Sequence, residues 1–260
     1  MKRIEFGELQ IGEEARANLL HVCDTNWASG GPKVKALEEN WSDLFGYRRS
    51  VAMSSGTDGC INACLALYDI AKAKRGDEVI VPALSFIATS NAVRAAGFTP
   101  KFVDVNKETL NIDESKILDA ITDKTVAIMP VHTMGRPAEM EAIQQIGLEN
   151  GLVVIEDACE AHGAIYKDKF IGHWGDMSIY SYYIAHLVCC GEGGMVSTND
   201  EETADVLSST RSHGRPFNSI YFDHQRVGCN SKMNDLEASI GLEAIGVFWN
   251  TFNTRHATMK

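Results

Sequence analysis

The stretch Leu152-Val-Val-Ile-Glu156-Asp-Ala-Cys-Glu160-Ala-His162-Gly163 joins a continuous apolar run to a cluster of ionisable side chains. Apolar residues that follow one another without alternation are expected in a strand that is covered on both faces. The ionisable groups come directly after this run, and open parallel sheets carry function at the carboxyl ends of their strands. The stretch therefore predicts an α/β protein whose chemistry lies at that edge of the sheet.

Similar apolar runs recur along the chain and alternate with segments of helical length. The predicted strands are residues 50–53, 78–81, 101–105, 125–129, 152–156, 177–181 and 194–197. The predicted helices include residues 59–73, 85–96, 137–150 and 233–245. This alternation is typical of a doubly wound sheet with right-handed crossover connections. We therefore predict a mostly parallel seven-stranded sheet that lies between helices.

Composition and charge narrow the possible functions. A chain of 260 residues is long enough for one large domain with a substantial core. The formal net charge of −11 argues against nucleic acid as a main partner, because binding to phosphate backbones needs a basic surface. The sequence contains no segment typical of a signal peptide or a membrane helix, so we expect a cytoplasmic protein.

The cysteines predict free thiols. Their number, 7, is odd, and they are scattered through apolar surroundings. Buried thiols in a reducing compartment fit this pattern better than a disulfide framework. Cys60 and Cys64 are one helical turn apart, but no second pair completes a zinc site. We predict no metal site and no iron–sulfur cluster, and we assign no function to the adjacent Cys189 and Cys190.

The segment Ser54-Ser-Gly-Thr-Asp-Gly59 follows the first predicted strand and opens a helix. Its small residues leave backbone amides accessible, and a helix N-terminus favours an anion such as phosphate. A tight turn between a strand and a helix explains the same residues. At this point a phosphate site and a simple turn both remain open.

Three other side chains also have a structural and a functional interpretation. Asp157 at the end of its strand could cap a helix, or its carboxylate could act on a bound ligand. Phe86 could be a core residue or an aromatic surface for such a ligand. A single histidine such as His186 is more often structural than catalytic. Imidazole nevertheless titrates near neutrality, so it can accept and return a proton within one turnover.

The segment Ser178-Ile-Tyr-Ser-Tyr-Tyr-Ile-Ala-His186-Leu-Val-Cys-Cys-Gly-Glu-Gly-Gly194 resembles a cofactor-anchoring segment of the DegT/DnrJ/EryC1/StrS family. Aminotransferases of that family bind pyridoxal 5'-phosphate (PLP) covalently through a lysine at the position of His186. Histidine cannot form that bond. The sequence is similar to a small dehydratase branch that has histidine there and removes the C3 hydroxyl of a nucleotide-linked keto-sugar.

The resemblance implies the large domain of PLP fold type I and a division of the chain. Residues 1–25 would form an N-terminal arm and helix, and residues 26–245 the PLP-binding large domain. Residues 246–260 would begin a truncated C-terminal segment, with the small C-terminal lobe missing.

The resemblance also implies a set of site residues. Its catalytic members are His186, Asp157 and Glu160, with Asp157 keeping the pyridine nitrogen protonated and Glu160 near the phenolic oxygen. The expected cofactor-binding residues are Gly56, Thr57, Asp58, Phe86, Asp157, Glu160, Ser181 and Asn230. Asn230 would reach the phosphate of a neighbouring subunit, which implies a homodimer with shared active sites. His213 is carried over as a substrate-binding residue.

The implied function is 3-dehydration of a nucleotide-linked 4-keto-6-deoxy sugar, for which GDP-4-keto-6-deoxymannose is the expected example. His186 would remove a proton from the methylene carbon of pyridoxamine 5'-phosphate (PMP) joined to the sugar, and L-glutamate would regenerate PMP. Lys167 and Lys169 are expected to lie exposed in the preceding loop. Two alternatives stay open: a sugar aminotransferase-like protein that has lost its lysine, and a non-catalytic PLP-binding scaffold or partner subunit.

Overall fold

The computed structural model describes residues 7, 9–216, 220 and 223–258. Residues 1–6 and 8 of the predicted N-terminal arm lie outside the described residues, as do residues 259–260 of the predicted C-terminal segment.

A seven-stranded sheet forms the centre of the fold, with strand order β1-β9-β8-β5-β4-β2-β3. The strands are β1 (Arg49–Met53), β2 (Glu78–Pro82), β3 (Thr99–Val103), β4 (Thr125–Ile128), β5 (Val153–Asp157), β8 (Met177–Ser181) and β9 (Gly194–Thr198). Only β9 runs against its neighbours, so the predicted mostly parallel sheet is confirmed. A separate hairpin of β6 (Ile165–Tyr166) and β7 (Lys169–Phe170) was not predicted.

Helices cover both faces of this sheet. They are α1 (Glu13–Thr25), α2 (Pro32–Phe45), α3 (Gly56–Ile70), α4 (Ala88–Ala95), α5 (Ile117–Ala120), α6 (Met140–Asn150), α7 (Glu201–Thr210), α8 (Asp235–Gly246) and α9 (Phe248–Thr258), with short 3-10 turns at Glu114–Lys116 and Thr133–Gly135. The helix predicted from residue 85 begins only at Ala88, and α9 is a separate helix beyond Val247. No helix in the described part of the chain is long and apolar enough to cross a membrane.

Alternating side chains of the strands fill two cores, one on each face of the sheet. Ala52 of β1 belongs to the core that includes Trp41 of α2 and Leu242 of α8, whereas Val51 faces the core formed with α3 and α7. Residues covered in this way on both faces explain why the strands have continuous apolar sequences. The two cores hold the carboxyl ends of the strands in fixed positions.

All seven cysteines are described, and all are free thiols. Cys60, Cys64, Cys189 and Cys190 are buried as expected. Cys23 is exposed, which corrects the expectation that every thiol is buried. It lies on α1, whose sequence turns few residues towards the core.

Candidate active site

The predicted site residues gather where the parallel strands end. Asp157 ends β5, and Ser181 ends the adjacent β8. Phe86 follows β2, and Gly56 begins α3 directly after β1. Because these strands run in one direction, their carboxyl ends form one edge of the sheet, where α/β proteins of this kind bind ligands.

The N-terminus of α3 approaches Ser181 very closely. A Cβ atom added to Gly56 would lie 2.7 Å from Ser181 Cβ and 3.1 Å from Ser181 Oγ, so no side chain fits there. The Ser55 hydroxyl caps the helix by accepting a hydrogen bond from Asp58 N–H at 3.0 Å. Amides in the first helical turn have no partner within the helix. The segment is thus a tight turn and also an arrangement suited to an anion.

Asp58 shapes this loop. Its carboxylate accepts hydrogen bonds from the hydroxyls of Ser54 at 2.5 Å and Ser55 at 3.2 Å. Its own amide is already bonded to Ser55. A carboxylate in the first turn stabilises the helix N-terminus but would repel a nearby phosphate. Direct phosphate binding by Asp58 stays a prediction, and the observed contacts give it a positioning role.

Asp157 is a buried carboxylate with two hydrogen bonds from the described residues. Its Oδ2 accepts from Thr89 Oγ1 at 2.9 Å, and its Oδ1 accepts from Cys159 N–H at 3.3 Å. Both bonds hold the carboxylate in a fixed orientation. The residues that follow form turns rather than a helix, so Asp157 is not a helix cap. Its structural interpretation from sequence is therefore wrong.

Thr89 was missed by the sequence analysis. It lies in the first turn of α4, and its amide donates to Phe86 O at 3.2 Å, so the two residues are held together. The available signal was the threonine three residues after the candidate aromatic ring. Nothing in that spacing identified Asp157 as its partner.

Phe86 is 72% exposed, so its interpretation as a core residue is wrong. Leu84 and Ile87 are also exposed beside it. Exposed apolar side chains that cluster at one place mark a binding surface more often than isolated ones do. An accessible aromatic ring at this edge of the sheet can lie against a flat ligand.

His186 lies in the loop between β8 and β9 and is half-buried. Its amide donates to Tyr183 O at 3.0 Å, and the centroid of its ring lies 5.7 Å from that of His162. Burial lowers the pKa of His186, while the charge of Asp157 acts in the opposite direction. The imidazole is therefore largely neutral near pH 7, the form that can accept a proton.

Glu160 is exposed, and it bridges two loops at this edge. Its Oε2 accepts a hydrogen bond from Met134 N–H at 2.5 Å. Met134 has a φ of 54°, in the left-handed region, and follows β4. Glu160 thus connects the loop after β5 with the loop after β4, and its place near a phenolic oxygen stays a prediction.

Asn230 and His213 lie on two paired segments beside the end of β1. Ser54 N–H donates to Ser231 O at 2.9 Å, and His213 N–H donates to Cys229 O at 2.8 Å. Both Asn230 and His213 are exposed, and Asn230 Oδ1 accepts from Lys232 Nζ at 2.5 Å. Their predicted contacts with a neighbouring subunit and with substrate stay predictions.

The two nearby lysines are engaged elsewhere. Lys167 forms an ion pair with Glu141 at 2.5 Å, and Lys169 Nζ lies 4.8 Å from the ring centroid of Trp174. They belong to the β6–β7 hairpin rather than to an irregular loop. Lys167 and Lys169 are both exposed, as predicted.

The residues at this edge fit PLP. The N-terminus of α3 and the Ser181 hydroxyl suit its phosphate, the Asp157 carboxylate suits a protonated pyridine nitrogen, and Phe86 offers a ring face. Among the residues that the structure describes, no group of three or more His, Cys, Asp or Glu side chains could hold a metal ion.

Residues 9–260 match the DegT/DnrJ/EryC1/StrS aminotransferase family. The chain belongs to this family. The resemblance found in the sequence is thus confirmed, together with the PLP fold type I large domain and PLP as the cofactor of the family.

A curated relative within the family is GDP-perosamine synthase from Caulobacter vibrioides. It is 36% identical over 243 residues, which cover 93% of this chain and 64% of the relative. This chain spans 62–64% of the length of the curated relatives that it matches first.

Two solved structures show that similar chains perform different chemistry. GDP-4-keto-6-deoxy-D-mannose-3-dehydratase from E. coli, with bound hydrated PLP, has a TM-score of 0.85 and 28% identity and covers 95% of this chain and 68% of its own. PseC from Helicobacter pylori, an aminotransferase of pseudoaminic acid biosynthesis, has a TM-score of 0.86 and 25% identity and covers 95% and 66%. The comparisons therefore support a PLP-dependent, sugar-modifying family without separating its two reactions.

Proposed function

We propose that this protein is a PMP-dependent 3-dehydratase that removes the C3 hydroxyl of a nucleotide-linked 4-keto-6-deoxy sugar. The observation that carries the proposal is His186 in the β8–β9 loop, where the charge of Asp157 acts on its pKa. By the resemblance, His186 stands where the family's aminotransferases have their lysine. Imidazole can move a proton at that position, but it cannot bind the cofactor covalently.

Residues of this chain would hold the cofactor at three points. Amides of Gly56 and Thr57, with the Ser181 hydroxyl, bind the phosphate, and Phe86 lies against the ring. Asp157 would keep a proton on the pyridine nitrogen, and the hydrogen bonds from Thr89 and Cys159 orient its carboxylate. When bound, the cofactor supplies an amine and an electron sink.

His186 acts on protons. Its burial favours the neutral form, which would accept a proton from the methylene carbon of a bound pyridoxamine group. The resulting imidazolium can return that proton to the C3 hydroxyl as it leaves. Glu160 lies near the phenolic oxygen in this proposal. Because the His186 imidazole cannot displace the product as a lysine amine would, water releases the product in this proposal.

The proposed substrate is GDP-4-keto-6-deoxymannose, because the similar E. coli protein is named for that sugar. L-glutamate would restore PMP after each turnover. The proposed assembly is a cytoplasmic homodimer in which Asn230 reaches the neighbouring phosphate and His213 contacts the sugar.

Product analysis tests the proposal. The purified protein is incubated with PMP, L-glutamate and GDP-4-keto-6-deoxymannose, and the sugar nucleotide is identified by mass spectrometry. A dehydratase yields a keto-sugar that lacks the C3 oxygen, and it releases ammonia. His186→Asn should lower this rate by about 100- to 10,000-fold, the usual contribution of a general acid–base group. Deoxygenation that is unchanged in His186→Asn would overturn the mechanism.

The second candidate is an aminotransferase-like protein that has lost its lysine, which the 36% identity with GDP-perosamine synthase favours. It predicts that the wild type forms no deoxygenated product. His186→Lys should then restore transfer of the amine to C4, giving an amino-sugar that keeps its C3 hydroxyl. A deoxygenating wild type excludes this candidate.

A further inference from the structure

His162 is a buried histidine that the proposed mechanism does not use. It is 3% exposed, and its ring centroid lies 5.7 Å from that of His186. Its other ring neighbours are Trp41, Tyr180 and Tyr182, with centroids at 5.5, 5.5 and 6.1 Å. An aromatic cluster thus surrounds His162, and the His162 ring lies next to His186, the proposed proton acceptor.

One nitrogen of His162 is bonded to the loop that carries His186. His162 Nδ1 accepts a hydrogen bond from Val188 N–H at 3.4 Å. Val188 is two residues beyond His186 in the chain. An accepting Nδ1 places the proton of the neutral ring on Nε2. His162 is therefore attached to the backbone that positions the His186 side chain.

The other nitrogen shows that packing does not explain a histidine here. Nε2 is buried and has no hydrogen-bond partner among the described residues. An unsatisfied buried polar group costs about 1–3 kcal/mol, so an apolar ring would suit the aromatic cluster better. The feature that a phenylalanine could not supply is the acceptor for Val188.

His162 is held in its neutral form. Burial lowers its pKa well below the ordinary range, His186 and Arg255 act in the same direction, and the backbone of Ser181 acts in the opposite direction with a smaller effect. Protonation would also remove the acceptor for Val188. The charged groups that act on the pKa of His186 are Asp157, which raises it, and Arg255, which lowers it. A neutral His162 therefore adds no repulsion when His186 holds a proton.

We infer that His162 is a positioning residue, which accepts the Val188 amide and so holds the His186 ring half-buried beside the proposed cofactor site. The catalytic consequence rests on the proposed function. The positioning of the loop by His162 does not rest on it, because that claim concerns only the loop conformation and the pKa of His186.

Two matched variants separate the acceptor from the ring. His162→Asn keeps an acceptor near the position of Nδ1 but loses the ring, whereas His162→Phe keeps a ring and loses the acceptor. The pKa of His186 is followed by NMR titration, with His186→Asn for assignment. His162→Phe should raise that pKa towards the ordinary value of about 6.5, because the released loop exposes His186 to water. His162→Asn should leave it at the wild-type value, even if the variant melts earlier.

The inference is overturned if the two variants shift the pKa equally, or if His162→Phe does not shift it. The tautomer of His162 in the wild-type protein tests the same inference and does not depend on the folding of a variant. A long-range proton–nitrogen NMR spectrum should show His162 as the neutral tautomer with its proton on Nε2, and a proton on Nδ1 would contradict the account.

Turnover gives a further readout. If the wild-type protein deoxygenates the sugar, the His162→Phe variant should have a kcat about 100-fold lower and a similar KM. A displacement of about 1 Å at the reacting group has an effect of that size. A wild type without deoxygenation would contradict the proposed function alone, because the NMR measurements need no substrate.

Discussion

Glu156 and Asp157 are adjacent buried carboxylates at the end of β5, and their surroundings differ completely. Glu156 Oε1 accepts from the amides of Trp174 and Gly175 at 2.8 and 2.6 Å. Its Oε2 accepts from Gly172 N–H at 2.8 Å and lies 3.0 Å from His132 Nε2. Asp157 receives only the bonds from Thr89 and Cys159 within the described chain. Alternation along the strand points the two side chains to opposite faces.

The difference separates a structural carboxylate from one that can bind a ligand. A carboxylate has about four acceptor positions, and the protein fills all of them on Glu156. Glu156 thereby fixes the segment that leads into β8. Asp157 keeps acceptor capacity at the edge where the strands end. Free capacity, rather than residue type or burial, distinguishes the two.

Removal of Glu156 should have the largest effect on stability. Glu156→Ala leaves one buried amide, two part-buried amides and His132 without their partner, so the free energy of unfolding should fall by about 3–5 kcal/mol. Urea denaturation measures this loss. Asp157→Ala is the matched control and should cost about 1–2 kcal/mol. Equal losses in the two variants would break the distinction.

Asp157 should matter for chemistry instead. Asp157→Asn removes the charge that holds the proton on the pyridine nitrogen, so conversion of bound PLP to PMP by L-glutamate should slow by about 100-fold, or about 2.7 kcal/mol. The absorbance of the cofactor reports this rate. Thermal melting should change little. A normal rate in Asp157→Asn would show that Asp157 is as structural as Glu156.

Thr89 should have a smaller effect through Asp157. Thr89→Val removes the hydroxyl that donates to Oδ2 and keeps the side-chain shape. The same half-reaction should slow by about 10-fold, the equivalent of one hydrogen bond of about 1.4 kcal/mol. Thr89→Ser restores the donor and should recover most of the rate. If valine and serine behave alike, the hydroxyl does not position Asp157.

The buried His162 should make the free energy of unfolding depend on pH. The folded-state pKa of His162 is lowered, so below about pH 6.5 the unfolded chain binds more protons than the folded one. Stability should therefore fall on acidification, with a contribution from His162 of up to about 1.4 kcal/mol per pH unit. Urea denaturation at several pH values checks this slope. His162→Phe should make it shallower, and an unchanged slope would assign it to other groups.

The sequence predicted the sheet well because apolar runs are local signals. All the predicted strands form, with β3 starting at Thr99 rather than Lys101. The β6–β7 hairpin was missed because two-residue strands are too short to show a period. The segment beyond the α8–α9 break is weakly patterned, which explains why only the helix over residues 233–245 was predicted there.

The site was only partly predictable, because its deciding contacts join distant parts of the chain. Phe86 and Asp157 could be singled out from local motifs. Thr89 lies 68 residues before Asp157, and Gly172 lies 16 residues after Glu156. No local pattern shows that one carboxylate is saturated and its neighbour is not. His162 was visible in the sequence, but its bond to Val188 appears only in the fold.

The most direct test is the absorbance spectrum of the purified protein with PLP, before and after L-glutamate, followed by borohydride reduction and intact-mass measurement. The account predicts that the aldehyde band converts to a pyridoxamine band in the wild type and does so about 100-fold more slowly in Asp157→Asn. It also predicts that reduction leaves the mass of the polypeptide unchanged, because His186 forms no covalent bond with the cofactor. A PLP band that glutamate does not alter, or a wild-type chain that gains the mass of the cofactor, would contradict it.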